Sequence, residues 1–225
     1  LHLKENSLLR EYSVQGNFIA EKNWNEEWEK SREVVHVSDK IVIKPTFKKY
    51  NAKPDEIVLI LDPKMSFGTG DHQTTKICLK LIEKYIETGM KVLDAGSGTA
   101  VLGIATAKLG ADKVIAFDID EWCFENGVEN AQLNAVVGKV EIRKCELNEI
   151  PENDFDLIIA NIQKNILLDI ADGFKDRIKK NGILILSGLL DMDRESILNR
   201  YSLLGFNEID FLQMDEWIGI VFESQ

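Results

Sequence analysis

Positive charge is in short supply: 27 Lys and Arg stand against 38 Asp and Glu, a formal net charge of −11. Nucleic acids are held by clustered cations that displace counterions from phosphates, so direct nucleic-acid binding is not expected, whereas a basic protein partner is compatible. Cysteine is scarce as well. Cys78, Cys123 and Cys145 are an odd, widely spaced set with no CxxC pair, which reads as reduced cytosolic thiols and not as a disulfide frame or zinc site. No metal site is expected. No apolar run approaches the roughly 20 residues of a membrane span, and the N-terminus lacks the apolar core of a signal peptide. A cytoplasmic location, no membrane contact and a monomer are the expectations. What the chain does have is ordinary for a folded globular protein: 225 residues, 44% hydrophobic and 29% charged, enough to bury a substantial core.

A further absence is more telling. Val92 and Leu93 make a short apolar strand, Asp94-Ala95-Gly96-Ser97-Gly98-Thr99 a tight turn, and Val101 to Leu109 an apolar helix ended by Gly110. The following strand, from Lys113 to Phe117, stops at Asp118, placed where a carboxylate can accept both hydroxyls of a ribose. A dinucleotide fingerprint would add a third glycine three positions after the second, so that a pyrophosphate could rest on the helix N-terminus. That position is Val101. Asp94, just ahead of the turn, repels phosphate and attracts a cation. S-adenosylmethionine, with a sulfonium, an ammonium and a ribose but no phosphate, suits Asp94, Gly96, Gly98 and Asp118 better than a nicotinamide dinucleotide does.

Around this unit the pattern alternates. Val34 to Val37 and Ile41 to Ile43 predict a hairpin and Ile57 to Leu61 a third small strand, while Trp24 and Trp28 share one helical face as packing anchors. The loop from Asp62 to Thr75 contains no Gly-Lys-Ser/Thr and is not a P-loop; it leads into a helix carrying Ile77, Leu81, Ile82 and Tyr85. Helices are predicted over Glu121 to Asn134, Asn165 to Ile178 and Arg194 to Leu204, with strands at Val140 to Arg143, Phe155 to Ala160 and Ile183 to Leu186. Such alternation implies a parallel sheet covered on both faces. Phe206 to Phe211 and Trp217 to Phe222 are joined by too few residues for a crossover helix, so they must form an antiparallel hairpin. The expected fold is α/β: a doubly wound, mostly parallel, Rossmann-like seven-stranded sheet with a C-terminal antiparallel hairpin, the architecture usual for class I methyltransferases. Residues 1–61 are expected to form a linker helix and small β region, and 62–225 the methyltransferase domain. The ligand would lie beyond the carboxyl ends of the strands where the winding reverses, with Asp94, Gly96, Asp118 and Asn161 converging there.

Specific stretches carry a resemblance: Asn23-Trp24-Asn25-Glu26-Glu27-Trp28, Ile41-Val42-Ile43-Lys44-Pro45, Leu61-Asp62-Pro63, Phe67-Gly68-Thr69-Gly70 with His72 and Thr74-Thr75, Ala160-Asn161-Ile162, and Leu186-Ser187-Gly188. Together they resemble the ribosomal protein L-eleven methyltransferases from about Asn23 to the C-terminus. The resemblance implies S-adenosylmethionine-dependent trimethylation of lysine side chains and the N-terminal amine of a large-subunit ribosomal protein, with Thr75, Gly96, Asp118 and Asn161 at cofactor-contacting positions. Ser97 stands where many members have Cys, Asp71 and Gln73 replace commoner residues, and Glu146 replaces an Asp near the adenine. The family also carries a substrate-recognition domain ahead of the tryptophan helix, where this sequence has only residues 1–22; most of that domain is expected to be missing.

The residues suggest how an amine would be handled. Asn161 ends a strand, and its side-chain carbonyl can accept an N–H from an amine and aim the lone pair, which makes it the candidate catalytic residue; the alternative is a helix cap. Ile162-Gln163 follows where amide-nitrogen and adenine methyltransferases typically have Pro-Pro-aromatic, so an aliphatic amine is favoured. Thr75, in the first turn of a helix, is a candidate for the methionine carboxylate or a cap. His72 is a loop support or a proton relay, Glu146 an acceptor for the adenine amino group or a solvated acid, and Trp122 core or pocket wall. The competing readings are a methyltransferase of this fold with another protein or small-molecule amine substrate, an NAD-dependent oxidoreductase, and a catalytically idle binding module.

Overall fold

The computed structural model describes residues 33–62, 68 and 70–225; Trp24, Trp28 and residues 63–67 lie outside the described residues. From Glu33 onward the chain is one compact unit. Its main sheet has seven strands in the order β6-β5-β4-β7-β8-β10-β9: β4 (Lys91–Ala95), β5 (Lys113–Asp118), β6 (Val140–Lys144), β7 (Phe155–Asn161), β8 (Ile178–Leu190), β9 (Phe206–Met214) and β10 (Trp217–Ser224). All neighbours run parallel except β10, which is antiparallel to both β8 and β9. This is the doubly wound sheet with a terminal hairpin that the sequence predicts. Among the described residues no helix is long and apolar enough to cross a membrane.

The central strands are apolar because both faces are covered. Val92, Leu157 and Ile159 point into one core with α1 (Gln73–Tyr85), α2 (Val101–Leu109) and α3 (Glu121–Leu133), whereas Leu93, Ile158 and Leu184 point into the other. Successive residues along each strand thus serve opposite layers, so a two-residue period survives inside a continuous apolar run. The second core holds stacked Tyr201 and Phe222, 5.4 Å between ring centroids, and the Tyr201 hydroxyl donates to the Leu167 carbonyl at 2.8 Å. Burial pushes that phenol well above its ordinary range.

One predicted helix is broken. The stretch expected over Asn165 to Ile178 divides at Ile170 into α4 (Lys164–Asp169) and α5 (Ala171–Lys175). It ends early because Ile178 already belongs to β8. That strand is longer than predicted, 13 residues, with an irregular pairing where Phe155 faces Ile178 and Leu157 faces Ile183. The polar residues Lys179 to Gly182 occupy this bulged start, and Asn181 has φ of 61°. The helix α6 (Arg194–Leu203) then leads to β9.

The small sheet has the order β1-β2-β3, with β1 (Val35–His36), β2 (Ile41–Pro45) and β3 (Ile57–Leu61). β1 and β2 form the predicted hairpin, and β3 is parallel to β2. Ile41, Ile43, Leu59 and Leu61 enter the same core as α1 and α2. The outer edge of β3 is not left bare. Asn134 accepts from the Ile60 N–H at 2.9 Å and donates to the Ile60 carbonyl at 2.6 Å, as a neighbouring strand would. Asn130, one turn earlier on α3, accepts from the Asp62 N–H at 2.9 Å, and Asn126 donates to the Asp62 carbonyl at 3.3 Å.

Candidate active site

A cleft of about 1130 Å³ opens where the winding reverses between β4 and β7, lined among others by Gly96, Gly98, Asp118, Asn161, Gly188 and Trp217. Its floor is the glycine turn after β4. The Gly96 and Ser97 N–H groups both donate to the Phe117 carbonyl, at 2.9 and 3.0 Å, which ties the turn to the end of β5. Asp118 closes the loop by accepting the Gly98 N–H at 2.9 Å on one oxygen and the Asp120 N–H at 3.1 Å on the other. Gly96 has φ of 66°, and a Cβ built there would lie 2.5 Å from Ile162 Cγ2; only glycine lets the β4 turn and the β7 turn approach this closely. Ala100, the residue before α2, has φ of 60° without being glycine, a left-handed conformation costing about 1–2 kcal/mol that the surroundings must enforce.

Asp94 lies at the end of β4 but is not among the residues lining the cleft. It is buried, one oxygen accepts the Gly103 N–H at 2.8 Å, and the other has no partner among the described residues. Burial pushes its carboxyl up to about 7; the Gly103 N–H works against that shift and the Asp118 carboxylate adds to it. Thr75 also stands back from the cleft, fully buried on α1 with its hydroxyl unpartnered among the described residues. The helix cap comes instead from His72, whose Nδ1 accepts the Thr74 N–H at 3.3 Å.

The far wall belongs to β7, β8 and β10. Asn161, half-buried at the end of β7, lines the cleft, with its side-chain Oδ1 buried and without a partner among the described residues. Ile162, which follows, is gripped between two glycines. A Cβ at Gly188 would come within 2.5 Å of its carbonyl oxygen, and Gly188 has φ of 79°. Opposite, the His72 ring meets Trp217 edge-on at 4.7 Å, and both line the cleft together with Thr74. Glu146 also lines it, at the start of a short 3₁₀ turn (Leu147–Glu149). Trp122 does not: it is 71% exposed, which corrects its expected place as core or pocket wall, because it follows the exposed cap Asp120 on the outer side of α3.

Of the residues singled out from sequence, the structure therefore gathers His72, Gly96, Gly98, Asp118, Glu146 and Asn161 in one cleft and sets Asp94 and Thr75 behind it. Thr74, Ile162 and Gly188, from the stretches that carry the resemblance, join them, and the structure adds Trp217. Trp217 reads as a core aromatic at the start of a strand, and only the reversed direction of β10 brings it to this edge.

The family model described as Ribosomal protein L11 methyltransferase (PrmA) matches residues 2–225. The chain belongs to that family. Relatives named ribosomal protein L11 methyltransferase include one from Ruminiclostridium cellulolyticum, 38% identical over 209 residues, covering 92% of this chain and 66% of the relative. Another, from Acetivibrio thermocellus, is 37% identical over 201 residues and covers 89% and 64%. The chain thus spans about two thirds of the length of these PrmA relatives. The solved structure of a ribosomal protein L11 methylase from Lactobacillus delbrueckii subsp. bulgaricus is similar with a TM-score of 0.81 and 30% identity, covering 86% of this chain and all of that one. A methyltransferase from Pyrococcus furiosus, at 21% identity and a TM-score of 0.58 over 67% of this chain and 83% of that one, shares the fold. Membership of the PrmA family removes the support for a nicotinamide oxidoreductase, in agreement with Val101 at the third-glycine position.

Proposed function

We propose that the chain is the catalytic part of an S-adenosylmethionine-dependent protein methyltransferase acting on primary amines, lysine side chains and an N-terminal amine, of ribosomal protein L11. The observation that carries this reading is the Asn161 side-chain oxygen, Oδ1: buried, unpartnered among the described residues, on a residue that lines the same cleft as Gly96 and Asp118. A buried acceptor without a donor costs about 1–3 kcal/mol, and a cleft that keeps one is fitted to a ligand that brings the N–H.

The residues present fit the cofactor. Gly96 lets the β4 turn lie directly against Ile162, so that bare backbone forms the floor, and the half-buried Asp118 carboxylate suits the two ribose hydroxyls and disfavours a pyrophosphate. Gly96, Gly98 and Asp118 would hold the nucleoside, with Glu146 toward the adenine. Asp94 and Thr75, set behind the cleft wall, would act by shaping the turn and the start of α1. S-adenosylmethionine, when bound, supplies an electrophilic methyl group on a positively charged sulfur.

The remaining work falls to the chain. An alkyl ammonium has a reference pKa of about 10.4, so it must shed a proton before its lone pair is free; burial against apolar walls lowers that pKa. Asn161 accepts an N–H of the amine and directs the lone pair into the cleft. The Trp217 ring offers a face that tolerates a cationic amine, worth about 0.5–2 kcal/mol, and His72 buttresses it. The net charge of −11 steers a basic protein toward the site, and a cytoplasmic location goes with a ribosomal target.

The test is intact-mass measurement of ribosomal protein L11 after incubation with S-adenosylmethionine and a longer form of the chain carrying the residues its relatives add. Mass added in methyl units is expected. No added mass from a protein that binds the cofactor removes the activity and leaves a binding module.

A further inference from the structure

Asn126 and Asn130 of α3, and Asn134, which caps its C-terminus, are all buried. Their spacing of four puts them in one row, and the row has work on both sides. On one side it holds β3: Asn134 pairs with both backbone groups of Ile60, Asn130 accepts the Asp62 N–H, and Asn126 donates to the Asp62 carbonyl. On the other side Asn130 donates to the Thr99 carbonyl at 3.0 Å, and Asn134 donates to the Asn130 carbonyl at 2.9 Å. Asn130 therefore uses its amide oxygen on the small sheet and its amide nitrogen on the glycine turn.

That turn needs outside support. Ala100 is left-handed without being glycine, and such a conformation persists only where the surroundings over-determine it. One support comes from α3, the Asn130 bond to the carbonyl of Thr99, directly before Ala100; Gly127, where a built Cβ would lie 3.4 Å from the Ala100 Cβ, lets the helix pass this close. The Thr99 hydroxyl adds a bond to the Gly68 carbonyl at 2.9 Å, so the segment leaving β3 is fastened to the turn as well. On its opposite flank the turn is held by Asp118 through Gly98.

We propose that Asn130 is a positioning residue for the methyl-donor site, linking the exit of β3 to the glycine turn so that the small sheet braces the cofactor pocket from behind. This rests on the reading of the cleft as an S-adenosylmethionine site. By reciprocity, whatever stiffens the turn also stiffens the exit of β3.

The experiment is calorimetric titration of S-adenosylhomocysteine into the parent chain, Asn130→Asp and Asn134→Asp at mildly alkaline pH, with amide hydrogen exchange of the parent. Asn130→Asp keeps an acceptor for Asp62 but sets a carboxylate oxygen against the Thr99 carbonyl; Asn134→Asp disturbs only bonds to Ile60 and Asn130. The former is expected to weaken binding by about tenfold or more, the latter by clearly less although it lowers the unfolding midpoint. In the parent, saturation with S-adenosylhomocysteine is expected to slow exchange of the Asp62 amide. Parent-like affinity in a folded Asn130→Asp protein overturns the inference. If that variant does not fold, the exchange decides: an Asp62 amide unmoved by ligand overturns it equally. A parent chain that binds no S-adenosylhomocysteine sinks instead the reading of the cleft on which the inference rests.

Discussion

Asp94→Asn isolates the charge of one buried carboxyl. Asp94 is 1% exposed, with one oxygen on the Gly103 N–H and the other unpartnered among the described residues. Its carboxyl is pushed from 3.8 up to about 7 by burial, against the pull of Gly103 and with added repulsion from Asp118. The folded chain therefore keeps a proton that the unfolded chain has released between about pH 4 and pH 7. Stability falls as pH rises through that window and is level above it. About three pKa units at roughly 1.4 kcal/mol each amount to about 4 kcal/mol. Asn keeps an acceptor for Gly103 and carries no charge, so the variant is expected to exceed the parent by a few kcal/mol near pH 8 and to converge with it near pH 4. Cys78, which also feels Asp94, is pushed far up by burial and stays a thiol throughout. Urea unfolding of both proteins across this range reads the difference, in which the three histidines and the surface carboxylates cancel. A variant-minus-parent difference that is flat from pH 5 to pH 8 refutes the assignment of a protonated Asp94.

Asp118→Ala is expected to weaken S-adenosylhomocysteine binding by about 1.5–3 kcal/mol, the range for hydrogen bonds to a charged group; calorimetry that finds parent affinity discards Asp118 as the ribose ligand. Asn161→Ala should slow methyl transfer by about a hundredfold through lost aiming of the amine while changing cofactor affinity little, and equal losses in the two would reduce Asn161 to a cofactor contact. Gly188→Ala forces a Cβ to within 2.5 Å of the Ile162 carbonyl oxygen at a φ of 79°, so a loss of about 2 kcal/mol or more in unfolding free energy is expected; an unchanged midpoint would mean that the Ile162 turn gives way freely.

Much of this molecule is written locally. Val92-Leu93, the two glycines and the apolar run from Val101 to Leu109 each follow from a short-range rule, and the structure places β4, the turn and α2 where those rules put them. The hairpin of β9 and β10 follows from a connection too short for a helix. What escaped is non-local. The bend at Ile170 and the early end of α5 depend on where β8 begins, and Gly173, whose Cβ would meet Leu147 at 2.8 Å, shows how tightly that helix pair is packed against a distant turn. The length of β8 was hidden because Lys179 to Gly182 look like a loop yet form its bulged start. Thr74 and Thr75 read alike in the sequence, and only the packed structure distinguishes Thr74, which lines the cleft, from Thr75, fully buried on α1. The asparagine row was invisible for a related reason: burial of a polar face requires β3 beside it, and nothing within α3 announces that strand.

The reversed direction of β10 has a consequence for the order in which the molecule is made. Trp217 reaches the cleft only after the chain has run through β9 and turned back, and until then β8 presents an open edge. A chain interrupted after α6 would have its glycine turn and Asn161 but neither Trp217 nor the β10 partner of β8, so the aromatic wall of the proposed site and the cover of that edge arrive together in one strand.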